Sequence, residues 1–202
     1  MKKAILLLTL LFTGTFALWA ADTDVVKARL EGKTLKVSLT NTTTFVAFQM
    51  DIDLPEGVTT EAPVKDVRLS ENDFVLAYNT INTTDNVVRV LAYNLSNSSI
   101  SGESGEALFT MALSDKGNET ITLSNIIFAD DTPTEVGLPD ATAALAGDVN
   151  RDGTVNVNDL VALAGIIIGS ATEGLDLDAA DMNSNGTVEV NDLVALAQLL
   201  IN

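Results

Sequence analysis

The sequence predicts two folds in one chain, a mainly β antiparallel sandwich followed by a small all-α unit of two loop–helix repeats. Three observations carry this. Between about residues 23 and 146, short runs of alternating apolar and polar residues recur, bounded by Asn, Asp, Ser and Gly. Beyond Gly147 the texture changes to polar loops that each precede an apolar-striped segment. Finally, DVNRDGTVNVNDLVALAGIII, starting at Asp148, returns 33 positions later from Asp181 as DMNSNGTVEVNDLVALAQLLI, with 14 of 21 positions identical. A fixed period of this kind marks a repeated supersecondary unit.

The elements follow in order. MKKAILLLTLLFTGTFALWAAD places Lys2 and Lys3 before an apolar run and small residues before Asp22. That is the layout of a secretory signal peptide, with cleavage expected near Ala20 or Ala21. The run is broken by Thr13, Gly14 and Thr15 and is slightly short for a spanning helix. No other stretch is long and apolar enough to span, so no membrane association is expected after cleavage. The expected division is 1–21 signal, 22–146 sandwich and 147–202 helical unit.

VVKARLEGKTLKVSLTNTT reads as two strands joined at Glu31-Gly32, a hairpin signal. TFVAFQMDIDLPEGV sets Phe45, Ala47 and Gln49 against Val46, Phe48 and Met50, then closes at Pro55-Glu56-Gly57. NDFVLAYNT, NVVRVLAYNLS, GEALFTMALS and ETITLSNIIFA follow as further strands. Short strands at this spacing, without helical periodicity between them, predict a sandwich. DDTPTEVGLPDATAALAG is expected to turn and then form a last strand around Ala141 to Leu145, leaving a very short connection to the repeats. In the repeats, Leu160, Leu163, Ala164 and Ile167 share one helical face, as do Leu193, Leu196, Ala197 and Leu200. Neither stripe can be buried alone, so the two helices are expected to pack together.

Composition excludes several functions. The chain has no cysteine and no histidine, which removes disulfides, anchoring through an N-terminal lipidated cysteine, Ser-His-Asp and Cys-His catalysis, and the usual zinc sites. Formal net charge is -17, so nucleic acid and anionic membranes are repelled. Yet 47% of residues are hydrophobic, too many for a disordered acidic chain. From Asp148 onward nine acidic residues face Arg151 as the sole base, a segment that folds more readily with a cation bound.

The repeated loop supplies a chemistry for that cation. Counting from Asp148, Asp148, Asn150, Asp152, Gly153, Thr154, Asn156 and Asp159 occupy positions 1, 3, 5, 6, 7, 9 and 12. This is the spacing of an EF-hand calcium loop. Alternate side chains supply hard oxygens, the seventh residue supplies its carbonyl, and the glycine permits the sharp turn. The second copy places Asp181, Asn183, Asn185, Gly186, Thr187, Glu189 and Asp192 in the same positions. Two Ca2+ sites are expected, the second weaker because Asn185 replaces a carboxylate. A competing reading makes the loops polar turns, with Asp159 and Asp192 near helix starts.

With Asp rather than Glu at position 12 and no helix before either loop, residues 147–202 closely resemble a type I dockerin. The resemblance implies two F-hand calcium repeats with ligands Asp148, Asn150, Asp152, Thr154 and Asp159, then Asp181, Asn183, Asn185, Thr187 and Asp192. It also implies a cohesin-type partner, in a cellulosome-like, polysaccharide-degrading assembly outside a bacterial cell or at its surface. The dockerin pair at positions 10 and 11 is here Val157-Asn158 and Val190-Asn191. Gly165-Ile166 and Gln198-Leu199 stand where basic residues are usual. The partner surface is therefore expected to be more apolar. Ile166 and Leu199 are either partner contacts or additions to the small core. Residues 24–146, through AFQMDI, RVLAYN and GEALFTM, resemble a cohesin or related carbohydrate-binding sandwich, which implies a cohesin-like jelly roll.

Two readings of the sandwich stay open. As a protein-binding module it makes the chain a non-enzymatic adaptor, with a dockerin as its own partner and self-association as one outcome. As a carbohydrate-binding module it would need aromatic platforms. Trp19 is expected to leave with the signal, and Tyr78 and Tyr93 read as core residues. Asp51, Asp53, Glu61 and Glu106 are the carboxylates available for hydrolytic chemistry, and they read as solvated surface.

Overall fold

The computed structural model describes residues 18–19, 24–96, 98–100, 106–114, 119–130, 132, 134–170 and 173–201. The expected signal segment therefore lies outside the described residues, apart from the backbone of Leu18–Trp19.

Two sheets face each other. The first runs in the order β1 (Leu18–Trp19), β10 (Glu135–Gly137), β9 (Thr122–Ala129), β4 (Ala47–Asp53), β7 (Val87–Tyr93), β6 (Val75–Asn82), with β11 (Ala141–Thr142) also on β9. The second runs β12 (Ala144–Leu145), β2 (Val25–Glu31), β3 (Thr34–Thr40), β8 (Ala107–Ala112), β5 (Val64–Lys65). Pairing is antiparallel except β1 on β10 and β12 on β2. The sandwich expected from the alternating runs is thus formed.

The period-two pattern explains the core. In β2 and β3, Val26, Ala28, Leu30, Leu35, Val37 and Leu39 turn inward, and in β4 Phe48, Met50 and Ile52 do the same. Phe128 lies between two other rings, 4.6 Å from Phe45 and 5.2 Å from Phe48 between centroids. Burying each such side chain contributes about 1.5–3 kcal/mol. Phe45 and Phe48, expected on opposite faces, are both buried. The alternation breaks because Phe45 precedes β4 and pairs separately with Ile100.

Charged groups at the margins are tied down, though Asp24 Oδ2 is buried without a hydrogen-bond partner. Asp24, almost wholly buried, accepts from Thr42 N–H at 2.6 Å and from its hydroxyl at 3.0 Å. Burial raises its pKa, but the Thr43 and Thr42 hydrogen bonds outweigh this and hold it below the usual carboxylate value. Asp51, on the outer side of β4, is gripped by Arg89 at 2.6 and 2.7 Å and by Asn125 at 3.1 Å.

Three features were not anticipated. A short helix, α1 (Val67–Glu71), sits between strands, started by Asp66 accepting from Val67 N–H. Its Arg68 is buried and donates to the Leu39 carbonyl and Asn41 Oδ1. Tyr78, expected in the core, is 45% exposed, because β6 is an edge strand. The expected last strand is split: β11 pairs with β9 and β12 with β2, so five residues stitch the two sheets together.

The chain then enters α2 (Val157–Ile167), α3 (Leu177–Ala180) and α4 (Val190–Ile201). Val149, Leu163, Ala180 and Leu196 form their buried centre, ringed by Val155, Leu160, Ile167, Met182, Val188, Leu193 and Leu200. The pairing of the two apolar stripes expected from the repeat is present. α3 lies between the two repeats; Asp176 caps it by accepting from Asp178 and Ala179 N–H, both at 3.0 Å.

Candidate metal centre and docking face

The two loops are wired in the same way. Asp148 accepts from the N–H of Asp152 at 3.0 Å and of Gly153 at 2.9 Å. Asp181 accepts from those of Asn185 at 3.1 Å and Gly186 at 2.7 Å. At position 5, Asp152 accepts from Thr154 N–H and hydroxyl at 2.9 and 2.6 Å, as Asn185 does from Thr187 at 2.8 and 2.7 Å. At position 12, Asp159 spans Asn150 and Asn156 N–H at 3.1 and 2.8 Å, while Asp192 spans Asn183 and Glu189 at 3.2 and 2.8 Å. Backbone angles repeat too: φ is +60° and +83° at Arg151 and Gly153, +58° and +85° at Ser184 and Gly186. A loop of a dozen residues is thus folded twice around its own first and twelfth carboxylates.

The electrostatics are those of a site short of positive charge. Asp159 and Asp192 are fully buried, and Asp148 and Asp181 nearly so. Burial pushes the Asp148 pKa up; the Gly153 and Asp152 N–H groups oppose this, and the Asp159 and Asp152 charges add to it. In contrast, Asp152 is held below its usual value by the Thr154 and Asn150 side chains. Each oxygen of Asp148, Asp159, Asp181 and Asp192 accepts a single backbone N–H, and a carboxylate oxygen has a second lone pair to give. Among the described residues no cluster of three carboxylates is placed to hold a metal by itself. The donor set is accordingly mixed, with Asn, Thr and main-chain oxygens beside the acids. All-oxygen donors suit a hard divalent cation such as Ca2+. Asp159 also closes a capping box with Asn156, so the cap and ligand readings of position 12 coexist on one side chain.

The helices display a second duplicated feature. Val157, Val161 and Ile168 are 66, 68 and 78% exposed on the first, and Val190, Val194 and Ile201 are 59, 50 and 81% exposed on the second. Val157, Asn158, Val190 and Asn191 thus lie at the surface as expected. Ile166 and Leu199 part company: Ile166 packs against the small core, whereas Leu199 is 52% exposed. Sequence reasoning missed Val161, Val194, Ile168 and Ile201. The available signal was apolar residues off the core stripe repeating at the same 33-residue offset.

A duplicated loop–helix unit with all-oxygen loops and an exposed apolar face defines an EF-hand-like interaction module. Residues 146–201 match the family model of the dockerin type I domain. Type I dockerins are non-catalytic, calcium-binding interaction modules. No curated protein matches the chain. Among solved structures, the chain is similar to a non-cellulosomal cohesin from the archaeon Archaeoglobus fulgidus, at 15% identity over 61% of this chain and 91% of that one, with a TM-score of 0.47. It is also similar to a type I cohesin–dockerin complex from Clostridium thermocellum, at 10% identity over 65% and 98%, TM-score 0.48. A third is the cohesin module of a Clostridium perfringens family 33 glycoside hydrolase, at 11% identity over 62% and 97%, TM-score 0.43.

Proposed function

We propose that this chain is a secreted, calcium-dependent adaptor. It would attach through residues 147–202 to a cohesin-type partner in a polysaccharide-degrading, cellulosome-like assembly, with residues 22–146 serving as a second protein-binding module. The observation that carries the reading is the duplicated hydrogen-bond wiring of the two loops. Asp148, Asn150, Asp152, Thr154 and Asp159 would hold one Ca2+, and Asp181, Asn183, Asn185, Thr187 and Asp192 a second. Bound calcium neutralises the buried acids and lets each loop close on its helix, so folding and metal uptake are coupled. The paired valines then form an apolar docking face.

For the sandwich, Val75 and Leu91 on β6 and β7 are 39 and 41% exposed, aliphatic surface suited to another protein's side chains. Tyr78, also exposed on β6, keeps sugar binding as the second reading. Titrating calcium into the full chain should give two ions per molecule. Binding to immobilised cohesin modules should vanish in chelator. No calcium uptake, or cohesin binding indifferent to chelator, would overturn the reading.

A further inference from the structure

We infer that strand β2 is a docking surface for the chain's own C-terminal module, so that the two modules move as one body and the duplicated helix face is held in one orientation. The connection has no slack. Ala144 and Leu145 pair with Arg29 and Leu30, Ala146 N–H donates to the Leu30 carbonyl at 3.0 Å, and Gly147 N–H donates to that of Ala179 at 3.0 Å. Asp148, the head of the first loop, donates its own N–H back to Leu145 at 3.0 Å. The chain therefore passes from sheet to loop with the N–H groups of Ala146, Gly147 and Asp148 all engaged.

Side chains on β2 complete the lock. Arg29 Nη1 donates to the carbonyls of Asp178 and Asp181, the latter at 2.5 Å, and Nη2 lies 3.8 Å from Met182 Sδ. These carbonyls close the C-terminal end of α3 and open the second loop. The last carbonyls of a helix lack partners within it, and a guanidinium satisfies them well. Lys27 adds a 2.5 Å contact to Asp178 Oδ1. Both ends of that pair are more than half exposed, so it adds little. Arg29, its side chain 11% exposed, carries the attachment through charge-assisted bonds.

Both loops face this strand. The cleft on one side is lined by Val25 to Ala28 together with Asp148 and Arg151 to Gly153. On the other side Lys27, Arg29 and Lys36 look onto Asp181 and Asn183 to Gly186. A basic strand thus meets the acidic module, while the exposed valines remain uncovered. The lock goes beyond the calcium reading, and none of its contacts passes through a metal.

The chain has no cysteine, so Glu56→Cys and Gln198→Cys allow two nitroxide labels on the full mature chain, one per module. Pulsed EPR distances should give one narrow distribution in the parent. Arg29→Ala should broaden it, and so should Asp178→Arg, which places a cation against Lys27 and Arg29 without touching the sandwich. Circular dichroism and calcium stoichiometry should stay at parent values, marking the broadening as undocking rather than unfolding. A broad parent distribution, or an unchanged width in both variants, would overturn the inference. Repeating the comparison in chelator separates it from the calcium reading: a narrow parent width that Arg29→Ala still broadens without metal would sink the coupling of folding to calcium and leave the lock standing.

Discussion

Gly147→Ala tests how tightly the helical module is built onto its own first residue. Gly147 has φ +89°, and a Cβ there would lie 2.9 Å from Leu196 Cδ1 and 3.0 Å from Val155 Cγ1. Left-handed backbone costs an L-residue about 1–2 kcal/mol. The clash adds about 1–3 kcal/mol of overpacking, because Leu196 is fully buried and the β-branched Val155 has few rotamers to escape into. The expected loss is thus about 2–5 kcal/mol, enough to lower the urea midpoint of the 222 nm helical signal by more than about 1 M. Gly174→Ala is the control. Its φ is +79° with nothing within 4 Å of the new Cβ, so only the smaller backbone cost remains. Adding Leu196→Ala to Gly147→Ala should relieve the clash, giving a combined loss smaller than the sum of the two. Equal shifts for Gly147→Ala and Gly174→Ala, or strict additivity with Leu196→Ala, would refute the packing argument.

The remaining predictions concern the metal loops, the partner face and acid stability. Asp152→Asn should weaken the first calcium step and Asn185→Asp strengthen the second; calorimetry showing no change in either would contradict the ligand roles of position 5. Val161→Glu with Val194→Glu, both at exposed positions, should leave the melting temperature within a few degrees while abolishing cohesin binding; retained binding would place the docking face elsewhere. Burial raises the Asp51 pKa, but Arg89, Asn125 and the Arg89 charge together hold it below the usual value. Its stabilisation is therefore complete above the unfolded pKa and lost as pH falls through the folded one. Asp51→Asn should flatten the loss of sandwich stability below about pH 4, and parallel acid-denaturation curves for parent and variant would disprove it.

The candidate site was far more legible than its setting. The proposed ligand oxygens of each loop fall within twelve consecutive residues, and the repeat printed the pattern twice. Spacing alone therefore pointed to Asp148, Asp159 and their counterparts. The hairpin at Gly32 and the inward faces of β2 and β3 were readable for the same reason, since both depend on near neighbours. Tyr78 was misread because a strand pattern does not say which strand lies at an edge. Ile166 and Leu199 could not be separated, because equal repeat positions lie in unequal surroundings.

By itself the sequence determined the two textures, the alternating strands, the duplicated oxygen-rich loops and the apolar stripes that pair α2 with α4. These are local periodicities, set by side-chain chemistry within one turn, one strand or one loop. Only tertiary structure decided the sheet order, the splitting of residues 141–145 between both sheets, and the meeting of Arg29 with Asp178 and Asp181. The last contact joins residues about 150 positions apart. No local pattern encodes such a pair, because it exists only once both modules have folded and the two-residue junction has brought basic β2 against the acidic end of α3.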